Sequence, residues 1–147
     1  MSSTHAAIYF HIIFGTKNRI PCIAADWEDR LHAYLGGVIR EKSGKALAIG
    51  GFGDHVHLAV SLKPMHFLPD LMRDLKRHSS RWIHETIGLR SFDWQDGYGV
   101  FTVSFSNVEE VVKYVLHQRG HHQTRTFREE YVAFLKAHMV EYRDEYV

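Results

Sequence analysis

The chain reads as an α+β protein: a ferredoxin-like antiparallel sheet with helices on one face, followed by C-terminal helices. Three observations predict this. The spacing of apolar residues switches along the chain between a period of two and a period near 3.6. The resulting order is strand, helix, strand, strand, helix, strand, then extra helices, which is a pair of split βαβ units. The second and third strands are separated only by Gly50-Gly51-Phe52-Gly53, so they pair as a hairpin. Such a sheet supports many activities, so it names none of them.

Ala7-Ile8-Tyr9-Phe10-His11-Ile12-Ile13-Phe14 is β-branched and aromatic, and Gly15 bounds it. Its nearly continuous apolar character places it centrally in the sheet. Lys17 and Arg19 sit in its polar exit. Asp26, with Asp29 three residues on, is a candidate cap for a helix whose apolar face is Trp27, Leu31, Tyr34, Leu35, Val38 and Ile39. Ser43-Gly44 closes that helix. Ala46-Leu47-Ala48-Ile49 starts the second strand, and residues 55–62 form the third, ended by Lys63-Pro64. Pro69 opens the next helix, where its missing N–H is not needed. An apolar stripe of Leu71, Leu75, Trp82, Ile83 and Ile87 runs along it, and Gly88 ends it. Residues 91–99 form a glycine-punctuated loop before a fourth strand at 100–104. Ser106 or Asn107 caps a further helix, which carries Tyr114 and runs to about Gly120, with Glu109 and Glu110 at its dipole-favoured start. Thr126-Phe127-Arg128-Glu129 resembles a capping box and opens the last helix, with Tyr131, Phe134 and Leu135.

With 147 residues, 45% of them apolar, the chain suits a single domain with a real core, spanning 1–147. The one cysteine, Cys22, excludes an intrachain disulfide and a thiolate metal cluster. The N-terminus lacks a signal-peptide pattern, and no apolar run reaches membrane-spanning length. The expectation is a soluble, cytoplasmic protein with no membrane partner. A formal charge of +1 does not announce nucleic acid, so any such case rests on local clusters. The densest cluster is Arg73, Lys76, Arg77 and Arg81, on one helix: either a solvated face or a phosphate-contacting one. Of the 12 histidines, His5, His32, His66 and His84 are scattered and read as surface residues.

Chemistry concentrates at Gly53-Asp54-His55-Val56-His57-Leu58-Ala59-Val60. Val56, Leu58 and Val60 share one parity and the two histidines the other, so both imidazoles point the same way. They are either partly exposed side chains on an open sheet face or neutral ligands for one divalent metal. Tyr114 and Gln118, four residues apart, lie on one helix face. Each alone reads as packing or surface. With the histidines they form a different set: Gln118 offers an amide oxygen as a third ligand, and Tyr114 a phenol beside the metal. A divalent cation on a phosphodiester would help so weak a nucleophile as a phenol. Two imidazoles and an amide suit Mg²⁺ or Mn²⁺ and do not exclude Zn²⁺.

His55-Val56-His57 in the setting Asp-His-Val-His-Leu, followed more than fifty residues later by Tyr114-Val-Leu-His-Gln118, resembles the single-tyrosine HUH transposases of the IS 200/605 insertion-sequence type, relatives of the REP-associated tyrosine transposases. Lys17 and Arg19 after the first strand, Trp94-Gln95-Asp-Gly-Tyr98-Gly99, and His121-His122 with Phe127-Arg-Glu-Glu look like that family as well. The resemblance implies His55, His57 and Gln118 as metal ligands and Tyr114 as nucleophile. It also implies DNA transposition by single-strand cleavage and rejoining through a 5′-phosphotyrosine link, hairpin DNA as partner, and a homodimer. No nucleotide cofactor is expected, consistent with the absence of a P-loop. The DNA-binding candidates are Lys17, Arg19, Arg73, Lys76, Arg77 and Arg81, and the strand at 100–103 is the candidate dimer edge. Two rivals stand beside this: a non-catalytic hairpin-binding protein on the same scaffold, and a metal-dependent hydrolase of small phosphoesters, which would not need Tyr114.

Overall fold

The computed structural model describes residues 3–121 and 124–147. Strands β1 (Ile8–Gly15), β2 (Lys45–Gly51), β3 (His55–Leu62) and β4 (Gly99–Val103) form a four-stranded sheet in the order β2-β3-β1-β4. Every pairing is antiparallel. The two split βαβ units therefore interleave, β1 is central as its apolar run requires, and β2 and β4 are the edges. Helices α1 (Ala25–Glu41) and α2 (Leu68–Trp82) are the crossovers. Helices α3 (Val108–Leu116), α4 (Gln118–His121) and α5 (Phe127–Ala137) follow the sheet. No helix among the described residues is long and apolar enough to cross a membrane.

Strand parity divides the core. Ile12 and Phe14 of β1 with Val56, Leu58 and Val60 of β3 face α1 and α2, where they meet Leu31, Leu35, Leu71 and Leu75. Each such fully buried side chain contributes about 1.5–3 kcal/mol. The opposite parity of the same strands faces the C-terminal helices. Ile13 and Phe101 pack on Phe127, Tyr131 and Leu135 of α5. Ala48 and Ala59 pack on Val115 of α3. Of the two readings of this face, the open one does not hold: the face is covered, and His55 and His57 are buried beneath it.

Glycine and alanine let α3 come that close. A Cβ on Gly50 would lie 1.9 Å from the Val115 carbonyl oxygen, so only hydrogen fits there. A bulge in β2 between Ala46 and Ala48 sets the register that places Gly50 opposite His57.

The start of α1 departs from expectation. Ala24, not Asp26, is the N-cap of α1, with no side-chain cap bond; Asp26 lies in the first turn instead. The capping box at Thr126 and Glu129 is present in full. Pro69 lies in the first turn of α2, which runs on through a π-helical turn at Ile83–Ile87 to Gly88, at φ 89°.

Candidate active site

The β1–β3 register sets Ile13 opposite His57 and Gly15 opposite His55. A Cβ on Gly15 would lie 2.6 Å from the Phe127 ring. The bare backbone there admits Phe127, which stacks on His55 at 4.3 Å between centroids and 8° between planes. Phe127 in turn anchors the start of α5 over the histidine pair, and that brings Glu130 inward.

The second nitrogen of each histidine is engaged from behind. His55 Nδ1–H donates to Asp54 Oδ1 at 2.8 Å. His57 Nδ1 lies 2.8 Å from His11 Nε2. Burial, and then the neighbouring His57, hold the His11 pKa down at about 3, so His11 is neutral and can serve as donor or acceptor in that pair. Carboxylate and imidazole partners of this kind orient metal-ligating histidines.

The inward atoms are His55 Nε2, His57 Nε2, Glu130 Oε1 and Gln118 Oε1. Glu130 Oε1 is 2.8 Å from His57 Nε2 and 3.7 Å from His55 Nε2. Gln118 Oε1 is 3.1 Å from His55 Nε2, while its amide nitrogen donates to the Tyr114 carbonyl at 3.1 Å. With one proton, on Nδ1 toward Asp54, His55 would direct its Nε2 lone pair at two oxygen lone pairs. Such a convergence is repulsive unless a proton or a cation lies within it. His55, His57 and Glu130 offer ligand atoms within 4.8 Å of one another, and all three are buried. The donor set fits a divalent metal.

Tyr114 and Gln118 do meet at the histidines, but not on one continuous helix. α3 ends at Leu116, His117 forms a turn, and Gln118 opens α4. The Tyr114 hydroxyl donates to Glu130 Oε2 and accepts from Arg125 at 3.3 Å. Burial first, then the hydrogen bond to Glu130 and its charge, raise the Tyr114 pKa, and Arg125 opposes them. The resting phenol stays protonated. A cleft of about 420 Å³ is lined by Phe52, Asp54, Arg125 and Phe127.

Arg125 was not singled out by the sequence, His11 stood there only as part of the first strand, and Asp54 and Glu130 stood only within the quoted motifs, with no role assigned to them. Glu130 reads there as a first-turn acid of a capped helix, and His11 as one polar residue in an apolar strand. His122, and the side chain of His121, lie outside the described residues.

Four of the six candidate DNA-binding cations lie on the other side of the sheet from the histidines. Arg73, Lys76, Arg77 and Arg81 line a groove of about 650 Å³ between α2 and residues 90–97, on the α1–α2 side of the sheet. Arg73 and Arg77 pair with Asp74, at 3.8 and 3.3 Å, and Arg81 with Glu85 at 3.2 Å. The three arginines are exposed, so these pairs contribute little and release readily to phosphate. Lys76 is half-buried, and its ammonium donates to the carbonyls of Gln95 and Gly97. Lys17 is exposed, 3.8 Å from Asp93. Arg19 lies over the Phe127 ring at 4.8 Å and donates to Gln95 Oε1 at 3.2 Å.

The motif Trp94-Gln95 ties these parts together. Trp94 Nε1–H donates to Ser79 of α2 at 2.9 Å, and Gln95 Oε1 accepts from the Gly15 amide at 2.7 Å.

Residues 4–118 match the family model described as Transposase IS200 like. The ISDra2 transposase TnpA of Deinococcus radiodurans is 25% identical over 113 residues, covering 72% of this chain and 80% of that protein. The transposase for insertion sequence element IS200 of Salmonella typhimurium is 26% identical over 115 residues, covering 74% and 75%. Among solved structures, a Deinococcus radiodurans chain assigned as a transposase superposes with a TM-score of 0.66 at 24% identity, covering 78% of this chain and 93% of its own. A REP-associated tyrosine transposase bound to a REP hairpin superposes with a TM-score of 0.56 at 16% identity, covering 78% and 70%. Both structures share the fold described above. Helix α5, which carries Glu130, lies beyond the matched residues.

Proposed function

The chain belongs to the family of IS200-like transposases, and from that premise we propose that it cleaves and rejoins single-stranded DNA with Tyr114 as nucleophile. The observation that carries this is the convergence of the Tyr114 hydroxyl, two imidazoles, an amide and a carboxylate in one buried cluster.

In this reading His55, His57 and Gln118 hold the divalent metal, Mg²⁺ or Mn²⁺, and Glu130 Oε1 completes the set. When bound, the cation neutralises phosphate charge and orients the phosphorus. Asp54 and His11 keep the two imidazoles facing inward. Glu130 Oε2 accepts the phenol hydrogen bond and so is placed to take its proton. The Tyr114 oxygen then bonds to phosphorus, the bond to the 3′ oxygen breaks, and that oxygen leaves as a hydroxyl once protonated. The resulting 5′-phosphotyrosine keeps the free energy of the phosphodiester, so a 3′-hydroxyl can reverse the step without a nucleotide cofactor. Arg125 beside the phenol is placed to meet the phosphate's charge as it arrives.

The partner we propose is hairpin DNA, as in the REP-associated relative. Its phosphates would lie in the α2 groove, with Lys17 and Arg19 nearer the cleaved strand. Two copies would bring two DNA ends together by pairing β4 edges about a twofold axis. Sedimentation of active protein as a monomer at micromolar concentration would rule that pairing out. The test of the chemistry is direct: incubate the protein with labelled single-stranded hairpin DNA and Mn²⁺ or Mg²⁺, denature, and look for a covalent adduct. Efficient cleavage with no adduct would defeat the tyrosine reading.

A further inference from the structure

The loop at 94–97 is the common wall of three grooves. On one side Gln95, Asp96 and Gly97 close the basic groove of α2. On the other, a groove of about 630 Å³ lies between the loop and residues 140–147, with Tyr98, Tyr142 and Tyr146 among its walls. That groove continues past Gln95, Asp96 and Tyr146 into a hollow of about 260 Å³ bounded by Lys17 and Arg19. Its size is that of a small-ligand site. Nothing assigned above uses these tyrosines.

Resting on the reading that the chain cuts single-stranded DNA, we propose that the tyrosine groove holds an unpaired nucleotide of the strand that runs from the hairpin to Tyr114. The charge pattern orients it. Asp96 and Glu141 outnumber Arg143 in the tyrosine groove, whereas Lys17 and Arg19 balance Asp96 and Glu145 in the hollow, so the hollow is the less hostile end for a phosphate, and the groove's carboxylates can accept hydrogen bonds from exocyclic amines. The phosphate therefore goes to the Lys17–Arg19 end, and the base to the phenol rings, which offer stacking faces to any base. Cytosine or adenine is preferred over thymine, which has no exocyclic amine.

Arg19 supports this independently. Its Nε is buried and makes no hydrogen bond, a state that buried donors seldom hold without a function. Asn18 and Arg19 both sit in the left-handed region, at φ 57° and 58°. Non-glycine residues adopt it at a cost, and such strain gathers at functional sites. The strained turn holds the guanidinium across Phe127, whose ring covers His55, so the hollow lies next to the histidine cluster.

The experiment is a set of binding titrations with one DNA hairpin carrying no tail, oligo-dC tails or oligo-dT tails. The native chain should bind the dC-tailed hairpin roughly tenfold or more tighter than the bare one, with the dT tail between them. Tyr146 is 63% exposed, so Tyr146→Ala leaves the core untouched. It should remove most of the tail's advantage and leave bare-hairpin affinity unchanged, while Tyr146→Phe keeps the advantage. A tail that adds nothing, or a Tyr146→Ala loss shared equally by bare and tailed hairpins, overturns the proposal. Equal gains from dC and dT tails overturn the base preference. No binding of any of these DNAs by the native chain would instead defeat the parent reading, and the covalent-adduct assay tests that reading separately.

Discussion

The Tyr114 hydroxyl donates its hydrogen bond to Glu130, a residue on a different helix whose other carboxylate oxygen contacts His57. One side chain thus links the candidate nucleophile to the candidate metal ligands. The link depends on α5 docking over Gly15, where Phe127 fills the space that a side chain would otherwise take.

Tyr114→Phe removes one oxygen and keeps the ring. Glu130 loses one hydrogen bond but stays bonded to the histidines, so stability should fall by only about 1–3 kcal/mol. Hairpin and metal binding should remain, and the covalent adduct should vanish. Tyr131→Phe, deep in the α5 core, should still form it. The opposite pattern in a denaturing gel would move the nucleophile to α5.

His57→Ala tests the metal. Manganese binding by calorimetry and adduct formation should both be abolished. The variant also leaves Glu130 and His11 buried without the His57 imidazole beside them, so the fold should lose about 3–5 kcal/mol. That cost is larger than the sequence suggests, since an imidazole on an open strand face would have been nearly free to remove. Manganese affinity equal to that of the native chain would remove His57 from the ligand set.

Gly50→Ala places a methyl against the Val115 carbonyl. Backbone cannot yield as a side-chain tip does, so α3 must shift, at a cost of about 1–3 kcal/mol or more. Because α3 carries Tyr114, adduct formation should fall well beyond what the reduced stability explains. An unaltered melting temperature together with full activity would show that α3 is not held by this close approach.

Arg77→Ala with Arg81→Ala should weaken hairpin binding and flatten its dependence on salt. The slope should drop by about 0.9 for each phosphate that the variant no longer neutralises. Adduct formation at saturating DNA should persist, since both residues lie on the α2 side of the sheet. If the slope of log affinity against log salt is unchanged, the phosphates bind elsewhere.

Acid should destabilise the metal-free protein through His11. Its folded pKa is about 3 against an ordinary 6.5, so between these values the unfolded chain takes up a proton that the folded chain refuses. Stability from this group is complete above pH 6.5 and is lost as pH falls toward 3, at no more than about 1.4 kcal/mol per pH unit. Chelator-treated protein should melt lower at pH 4.5 than at pH 7, and His11→Gln should narrow that gap. Equal gaps in the two proteins would mean that another group governs the acid limb.

The sequence by itself determined the parts of this protein that local rules control. Alternation placed Val56, Leu58 and Val60 opposite in sense to His55 and His57, and the apolar run of β1 marked the centre of the sheet. Thr126 with Glu129 capped α5, and Gly88 ended the helical stretch after α2. Each of these rests on interactions within a few residues or on a strict period. The tertiary structure alone decided what faces the histidines. Glu130 lies 73 residues from His57, and nothing near it in the chain distinguishes it from Glu129, which is spent on the helix cap. The rotation of α5 about its axis chooses between the two, and Phe127 seated over Gly15 fixes that rotation. The burial of the site under the C-terminal helices likewise follows from packing between distant segments, which no local periodicity encodes.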